Sequence, residues 1–141
     1  MANNRLLISL MSKTHTFWYR TTGGSLGARM RGADVLLLTT TGRTSGKART
    51  TPLIYIEDGA DVILVASNGG DDRDPGWWRN LKAHPEATIQ IKRERRRVRA
   101  ERASAEEKAR LWPKLVAQYS DYDVYTTRTA REIPVVILKP V

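Results

Sequence analysis

The sequence predicts a mainly β, α+β fold: a small, mostly antiparallel barrel of about six strands with about three helices packed outside it. Three observations favour this fold. Short runs rich in β-branched and large apolar residues alternate with turns that contain Gly, Asn or Asp. Helical periodicity is confined to a few separate segments of the chain. The length of 141 residues fits one domain, and we find no internal repeat.

The first half of the chain is predicted to contain one helix followed by three strands. Residues 5–20 lean their apolar side chains toward one side of a helix, and a glycine-rich segment follows. The predicted strands, which are rich in β-branched and apolar side chains, are residues 35–40, 51–57 and 62–67. An Asp58-Gly59 turn joins the last two of them.

The second half is predicted to begin with a short helix over residues 75–82, because proline is tolerated in a first helical turn. A hairpin follows, with strands at residues 88–92 and 98–103 and a charged tip at residues 93–97. The last strand is expected in the apolar run IPVVILKPV at the C-terminus.

One further helix is predicted between that hairpin and the last strand. Ser104 and Glu107 have the spacing of a capping box, which marks a helix N-terminus. Trp112, Leu115, Val116 and Tyr119 would share the buried face. Pro113 is expected to kink or divide this helix.

Composition restricts the chemistry available to the protein. There are 24 Lys and Arg residues against 15 Asp and Glu, so the formal net charge is +9 and an anionic partner is favoured. The absence of cysteine excludes disulfides, thiol catalysis and thiolate zinc sites, and two histidines argue against a metal centre. No apolar run approaches the roughly 18 residues of a membrane span, so a cytoplasmic location is expected.

A basic loop, residues 42–49, lies between two predicted strands in LLLTTTGRTSGKARTTPLIYI. It combines two glycines with three cations, Arg43, Lys47 and Arg49. Glycine lets backbone amides turn toward an anion, and an arginine fork can hold phosphate or carboxylate with two hydrogen bonds. A Walker A loop is excluded because three residues separate the glycines and Ala48 follows the lysine. The alternative is a solvated basic hairpin end.

Three segments carry a resemblance to a known family: TTTGRTSGKARTTPLIYI, VASNGGDDRDPGWWRNLKAHPEA and LWPKLVAQYSDYDVY. In this order the chain resembles the deazaflavin-dependent nitroreductases, which are split β-barrel oxidoreductases that use coenzyme F420. The resemblance covers roughly residues 20–140. It implies a split-barrel deazaflavin-binding domain at residues 23–141, preceded by a helical segment at residues 1–22.

The resemblance also implies that reduced F420, an 8-hydroxy-5-deazaflavin, supplies a hydride. The residue composition predicts no metal. The residues implied for its phosphate and acidic tail are Arg43, Thr44, Ser45, Gly46, Lys47 and Arg49. Those implied for its ring and ribityl chain are Thr51, Pro52, Ser67, Asn68, Gly69, Gly70, Trp77 and Asn80, with Asn80 tying down the loop. Thr44 and Asn68 stand where family members often carry lysine.

Tyr119, Tyr122 and Tyr125 recur at every third residue. A similar trio lines the substrate pocket in the nitroreductase branch, so the resemblance implies that these tyrosines position the acceptor and that a phenol or solvent returns the proton. The expected acceptor is a planar, electron-poor small molecule: a quinone, a nitroaromatic, or a conjugated lactone or enone. The alternative is that these rings only pack a helix end and a loop.

Other functions stay open at this point. A split barrel can bind flavin or haem in place of deazaflavin. KRERRRVRAER contains seven cations, as a nucleic-acid-binding module would, but no aromatic residue for base stacking, so a solvated strand turn is preferred. Residues 1–22 are expected to lie on the inner face of the cell membrane, to cover the barrel, or to be partly disordered. Monomer and homodimer are both compatible with the sequence.

Overall fold

One antiparallel sheet organises the protein. The computed structural model describes residues 29–30 and 33–141, so the predictions for residues 1–22 lie outside the described residues. The strands are β1 (Arg29–Met30), β2 (Ala33–Thr41), β3 (Ala48–Ile54), β4 (Ile56–Asp58), β5 (Asp61–Val65), β6 (Glu86–Ile91), β7 (Glu94–Arg102) and β8 (Val135–Pro140). Their order is β1-β2-β6-β7-β8-β5-β4, and β3 pairs with β2. The fold is the expected mainly β, split-barrel type.

Helices flank this sheet. They are α1 (Gly76–Ala83), α2 (Ala105–Gln118) and α3 (Asp121–Thr126), together with a single 3₁₀ turn at Asn68–Gly70. The capping box of α2 is present: Ser104 Oγ accepts from the Glu107 amide at 3.1 Å, and Glu107 Oε1 accepts from the Ser104 amide at 3.0 Å.

The core has two parts, because the strands in the middle of the sheet are buried on both faces. Successive side chains of a strand point to opposite faces. In β8, Val136 and Leu138 therefore join a cluster that includes the α1 tryptophans, whereas Val135 and Ile137 join a second cluster under α2 and α3. Two-sided burial explains why the sequence of this strand is a continuous apolar run.

Several predicted boundaries were wrong. The hairpin tip is not residues 93–97: β7 begins at Glu94, which pairs with Ile91, so Lys92 and Arg93 alone make the turn. Lys92 has a positive φ of 56°, which lets a two-residue turn match the strand twist. The arginines at 95–97 therefore lie on a strand. The observed strand count among the described residues is eight, not about six.

Two further differences concern α2 and the residues after it. Pro113 was expected to kink or divide α2; the helix is continuous from Ala105 to Gln118 with Pro113 inside it, so it is not divided, and the kink stays a prediction. Pro113 and Ala109, whose carbonyl loses its helical partner, are both exposed, so water can satisfy that carbonyl. Residues 121–126 form α3, which was not predicted because one short turn of helix carries little periodicity.

Candidate functional site

The basic loop closes on itself through backbone hydrogen bonds. The Gly42 amide donates to the Lys47 carbonyl at 2.8 Å, and the Gly46 amide donates to the Gly42 carbonyl at 2.8 Å. Gly46 has a φ of 71°, which favours glycine. The last two residues of the basic loop, Ala48 and Arg49, belong to β3. The irregular part is therefore only residues 42–47, and two backbone hydrogen bonds close it.

Asn80 of α1 anchors this loop to the rest of the protein. Its Oδ1 accepts from the Arg43 amide at 3.1 Å and from Arg43 NH1 at 2.8 Å. Its Nδ2 donates to Thr40 Oγ1 at 3.2 Å. Asn80 is 6% exposed, so its contact with Thr40 is buried, whereas its two contacts with Arg43 are partly buried. One amide group thus joins the end of β2, the basic loop and α1.

The anchored loop presents hydrogen-bond donors and positive charge to solvent. Residues 43–49 are all exposed. Within the described part of the chain, the amides of Thr44 and Ser45 make no hydrogen bond. Together with the Lys47 and Arg49 side chains, they are donors that an anion can use.

The register of β3 separates two residues that were predicted to lie beside one ring. Thr51 pairs with Leu38 and Pro52 pairs with Leu37, so their side chains point to opposite faces of the sheet. Thr51 shares its face with Arg49 and with Thr40, which Asn80 contacts. Only Thr51 is therefore on the same side as the Asn80 anchor.

Residues 67–70, here called the glycine turn, connect β5 to the segment before α1. Asn68, Gly69 and Gly70 have φ values of 49°, 64° and 82°. Asparagine tolerates this region better than most side chains, and Asn68 Nδ2 also donates to the Arg73 carbonyl at 3.1 Å. A lysine at this position would lack that local hydrogen bond. The backbone conformation thus gives a physical reason for asparagine here.

The three tyrosines form one cluster. Tyr119 and Tyr125 hydroxyls are 2.9 Å apart, and the Tyr122 ring centroid lies 5.0 Å from that of Tyr119 and 6.4 Å from that of Tyr125. Tyr122 is 5% exposed, and this burial raises the pKa of its phenol well above the ordinary value. Tyr119 and Tyr125 are half-buried. Tyr122 is therefore packed into the core, and Tyr119 and Tyr125 are the more accessible of the three.

The cluster lies against the glycine turn. The Arg128 guanidinium carbon is 5.4 Å from the Tyr125 ring centroid, and Arg128 NH1 approaches the Gly69 carbonyl at 3.4 Å. A Cβ on Gly70 would come within 2.8 Å of the Arg128 Cβ and 3.3 Å of the Tyr125 carbonyl. The structure thus brings together the second and third of the sequence segments on which the resemblance rests.

Residues 11–140 match the model of a family described as F420H(2)-dependent quinone reductase. The chain belongs to this family. A putative F420H(2)-dependent quinone reductase of Mycobacterium tuberculosis is 48% identical over 116 residues, which are 82% of this chain and 98% of that protein. The family match includes all of the described residues except Val141.

Solved structures agree with this F420H(2)-dependent quinone reductase assignment. A structure named F420-H2 dependent reductase (FDR-A) is 37% identical, with a TM-score of 0.70, and the match covers 77% of this chain and 95% of that chain. Another, described as a domain-swapped dimer, is 35% identical with a TM-score of 0.72, covering 90% and 94%. The predicted family, the oxidoreductase class and coenzyme F420 as cofactor are confirmed, and the flavin, haem and nucleic-acid alternatives are not favoured.

The residues present fit the coenzyme of an F420H(2)-dependent quinone reductase. Its tail carries a phosphate and carboxylates, and the basic loop offers unpaired amides beside exposed Arg and Lys side chains. The individual assignments of Arg43, Thr44, Ser45, Gly46, Lys47, Arg49, Thr51, Pro52, Ser67, Asn68, Gly69, Gly70, Trp77 and Asn80 to the coenzyme stay predictions, as does that of the three tyrosines to the acceptor.

The two tryptophans of α1 are core residues. Trp77 is 7% exposed and Trp78 is 5% exposed, and both lie in the cluster that contains Leu36 and Leu38. Trp78 packs in this cluster as a core aromatic. Its Nε1 has no hydrogen-bond partner in the part of the chain that the structure describes. Trp77 would reach a bound ring only through its remaining exposed edge.

Sequence reasoning missed two arginines that shape this site. Arg128 contacts the glycine turn and Tyr125, as above, and Arg131 donates to the Ser67 carbonyl at 2.8 Å. Nothing in the sequence separates them from the other basic residues.

Metal-binding clusters and membrane-spanning helices are both absent from the described residues. Among residues 29–30 and 33–141, no group of three or more His, Cys, Asp or Glu side chains is arranged to hold a metal ion. No helix in the same part of the chain is both long and apolar enough to cross a bilayer.

Proposed function

We propose that the protein transfers a hydride from F420H2 to a quinone, and that the basic loop holds the anionic tail of the coenzyme while the tyrosine cluster positions the acceptor. The observation that carries this proposal is the loop itself. Its amides at Thr44 and Ser45 face solvent beside exposed cations, and Asn80 holds that arrangement before any ligand arrives. A preformed site avoids the entropic cost of ordering a loop upon binding.

When bound, the reduced deazaflavin supplies the hydride, so the protein needs no nucleophile or metal of its own. What the chain contributes is binding and orientation. Gly69 is exposed and has open space where a Cβ would lie, so the backbone of the glycine turn can approach a flat ring closely there, whereas Gly70 is buried against Arg128. Thr51 is on the face of β3 that Asn80 also contacts, so its hydroxyl is the better placed of the two β3 candidates.

The accessible phenols supply the proton that quinone reduction consumes. The Tyr119 and Tyr125 hydroxyls share a hydrogen bond of 2.9 Å. One phenol can therefore donate its proton to the acceptor oxygen while the other donates a hydrogen bond to the phenolate oxygen that the first is left with. We do not assign this part to Tyr122, because its side chain is buried away from the space that an acceptor could enter. Solvent then restores the proton.

The test is the oxidation of F420H2 by a soluble quinone analogue, followed by the return of the oxidised deazaflavin absorbance. The variant Arg43→Ala/Arg49→Ala should raise the Kd for the coenzyme at least about tenfold, because each charge-assisted contact contributes about 1.5 kcal/mol or more. The matched control is Arg95→Ala/Arg97→Ala, since both pairs remove two charges from a net charge of +9. The control should bind as wild type does.

Two results would overturn the proposal. Wild-type protein that neither binds F420H2 nor speeds its oxidation is not a reductase of this type. Equal weakening in both double variants would mean that binding follows overall charge and not the loop. If the protein binds F420H2 and reduces nitroaromatics but no quinone, the coenzyme-binding part of the proposal stands and the quinone is the wrong acceptor.

We further propose that the protein forms a homodimer in the cytoplasm. The support for the dimer is the similar solved structure described as a domain-swapped dimer. Sedimentation equilibrium of the full chain would decide the oligomeric state, with a mass of 15.9 kDa for a monomer. Contact of residues 1–22 with an anionic membrane stays a prediction, and vesicle co-sedimentation of full-length and truncated chains would test it.

A further inference from the structure

The Arg131 guanidinium donates hydrogen bonds to backbone carbonyls at both ends of the glycine turn. Arg131 NH2 donates to the Ala66 carbonyl at 3.1 Å and to the Ser67 carbonyl at 2.8 Å, and Nε donates to the Asp71 carbonyl at 2.9 Å. NH1 donates to Asp74 Oδ1 at 3.2 Å. The Arg131 side chain is 16% exposed. All three nitrogens of its fork are therefore used by residues that flank the turn.

The glycine turn needs such a partner for two reasons. Residues 68–70 all have positive φ, and the two glycines among them lose more conformational freedom on ordering than other residues do, so holding this one conformation is entropically costly. In addition, Ala66 is fully buried, so its carbonyl needs a donor away from water, and Arg131 supplies one. The Ser67 carbonyl accepts from the Gly70 amide at 2.9 Å within the turn and from Arg131 as well, so Arg131 ties the turn's own hydrogen bond to the rest of the protein.

Residues beside Arg131 reinforce the same contact. The Thr129 hydroxyl donates to Asp72 Oδ1 at 2.8 Å and accepts from the Arg131 amide at 3.3 Å. Arg128 contacts both the Gly69 carbonyl and the Tyr125 ring. The 128–131 segment thus joins the glycine turn to α3, the helix that carries Tyr122 and Tyr125.

We infer that Arg131 is a positioning residue for the reductase: it sets the glycine turn in the conformation that receives the deazaflavin and holds this turn in register with the tyrosine cluster. The inference rests on the proposed function. Arg131 acts through the backbone of residues 66–71. Its effect is therefore expected on coenzyme affinity and on the order of the turn.

Arg131→Ala and Arg131→Lys test this inference, with Arg110→Ala as the matched control. Arg110 also donates two hydrogen bonds to one partner, Asp58 Oδ1 at 3.2 Å and Oδ2 at 2.9 Å, but it joins α2 to β4. The control therefore removes a comparable fork whose partner is not in the glycine turn. Arg131→Lys keeps the charge and loses the fork, so it stays informative if the alanine variant folds poorly.

The first measurement needs no coenzyme. Hydrogen–deuterium exchange of a peptide that covers residues 66–74 should accelerate in both Arg131 variants and stay at the wild-type rate in Arg110→Ala. The second is the Kd for F420, measured well below the melting temperature of each variant. Arg131→Ala should raise it about tenfold, and Arg110→Ala should leave it within about twofold of wild type.

Chemical rescue separates positioning from a general loss of stability. Added guanidinium ion should lower the Kd of Arg131→Ala toward the wild-type value, because the ion can occupy the space of the missing fork, and it should not help Arg131→Lys or Arg110→Ala. Wild-type exchange and affinity in both Arg131 variants would overturn the inference, as would faster exchange with unchanged affinity. Wild-type protein without F420 binding overturns the proposed function instead, which the first titration shows.

Discussion

Asn80 and Arg43 are joined twice: the same Asn80 Oδ1 accepts from the Arg43 backbone amide at 3.1 Å and from Arg43 NH1 at 2.8 Å. The two residues are 37 positions apart in the chain. The side-chain nitrogen of Asn80, Nδ2, donates to Thr40 Oγ1. Asn80 therefore connects α1, the basic loop and β2. The orientation of the loop is therefore decided by a helix that follows it in sequence only after β3, β4, β5 and the glycine turn.

Asn80→Ala should loosen the basic loop. The buried Thr40 hydroxyl loses a donor and Arg43 loses an acceptor, so we expect a decrease of about 1–3 kcal/mol in the free energy of unfolding and a rise in the Kd for F420. Urea unfolding and fluorescence titration measure the two effects. Arg79→Ala removes an exposed charge from the same helix and should change neither. Unchanged coenzyme affinity in Asn80→Ala would contradict this role of Asn80.

Tyr119→Phe and Tyr125→Phe should be non-additive, because each removes one half of the same 2.9 Å hydroxyl contact. A double-mutant cycle should give a coupling free energy of about 1 kcal/mol in stability, and the double variant should be little worse than either single variant. Quinone reduction should fall in both single variants. Tyr122→Phe serves as the buried control, and its kcat should be near that of wild type. Full additivity would show that the two phenols act separately.

Replacing Gly69 or Gly70 of the glycine turn with alanine should lower the free energy of unfolding by different amounts. Gly69 has a φ of 64° and open space where a Cβ would lie, so Gly69→Ala carries only the left-handed backbone penalty of about 1–2 kcal/mol. At Gly70, with a φ of 82°, the new Cβ would also meet the Arg128 Cβ at 2.8 Å. Gly70→Ala should therefore be clearly less stable in urea unfolding. An equal loss of stability in Gly69→Ala and Gly70→Ala would contradict this prediction, because it would mean that Arg128 moves away from the new Cβ without loss of stability.

The stability contributed by Asp58 should depend on pH. The Arg110 guanidinium, hydrogen-bonded to it, holds the pKa of the Asp58 carboxyl below its usual value, and Lys114 at 3.6 Å adds to this. A lowered folded pKa stabilises the protein above the unfolded value of about 3.9, and this stabilisation disappears as pH falls through the folded value. Asp58→Asn should thus lower the melting temperature at neutral pH, with a smaller difference near pH 3.

The control for that pH dependence is Arg110→Ala. In this background the main partner of Asp58 is gone, so Asp58→Asn should have a smaller effect that changes less with pH. A difference between wild type and Asp58→Asn that is constant from neutral to acid pH would show that the ion pair does not control the Asp58 carboxyl.

The sequence anticipated the elements whose signal is local. The capping box at Ser104 and Glu107 satisfies two amides of one helix end, and its spacing alone placed the start of α2. The apolar runs likewise located β2, β5 and β8 to within about two residues. Prediction failed at residues 93–97, where charge suggested a turn although the arginines lie on a strand, because charge does not determine backbone conformation.

By itself, the sequence determined the fold class through strand periodicity, the family through the resemblance of three segments, and the position of the basic loop through a short glycine-and-arginine pattern, because all of these are local properties of a chain. Only the tertiary structure decided that Asn80 fixes Arg43, that Thr51 and Pro52 point to opposite faces, and that Arg131 holds the glycine turn. These relations depend on strand register and on contacts between residues tens of positions apart, and side-chain identity alone does not specify which donor meets which acceptor.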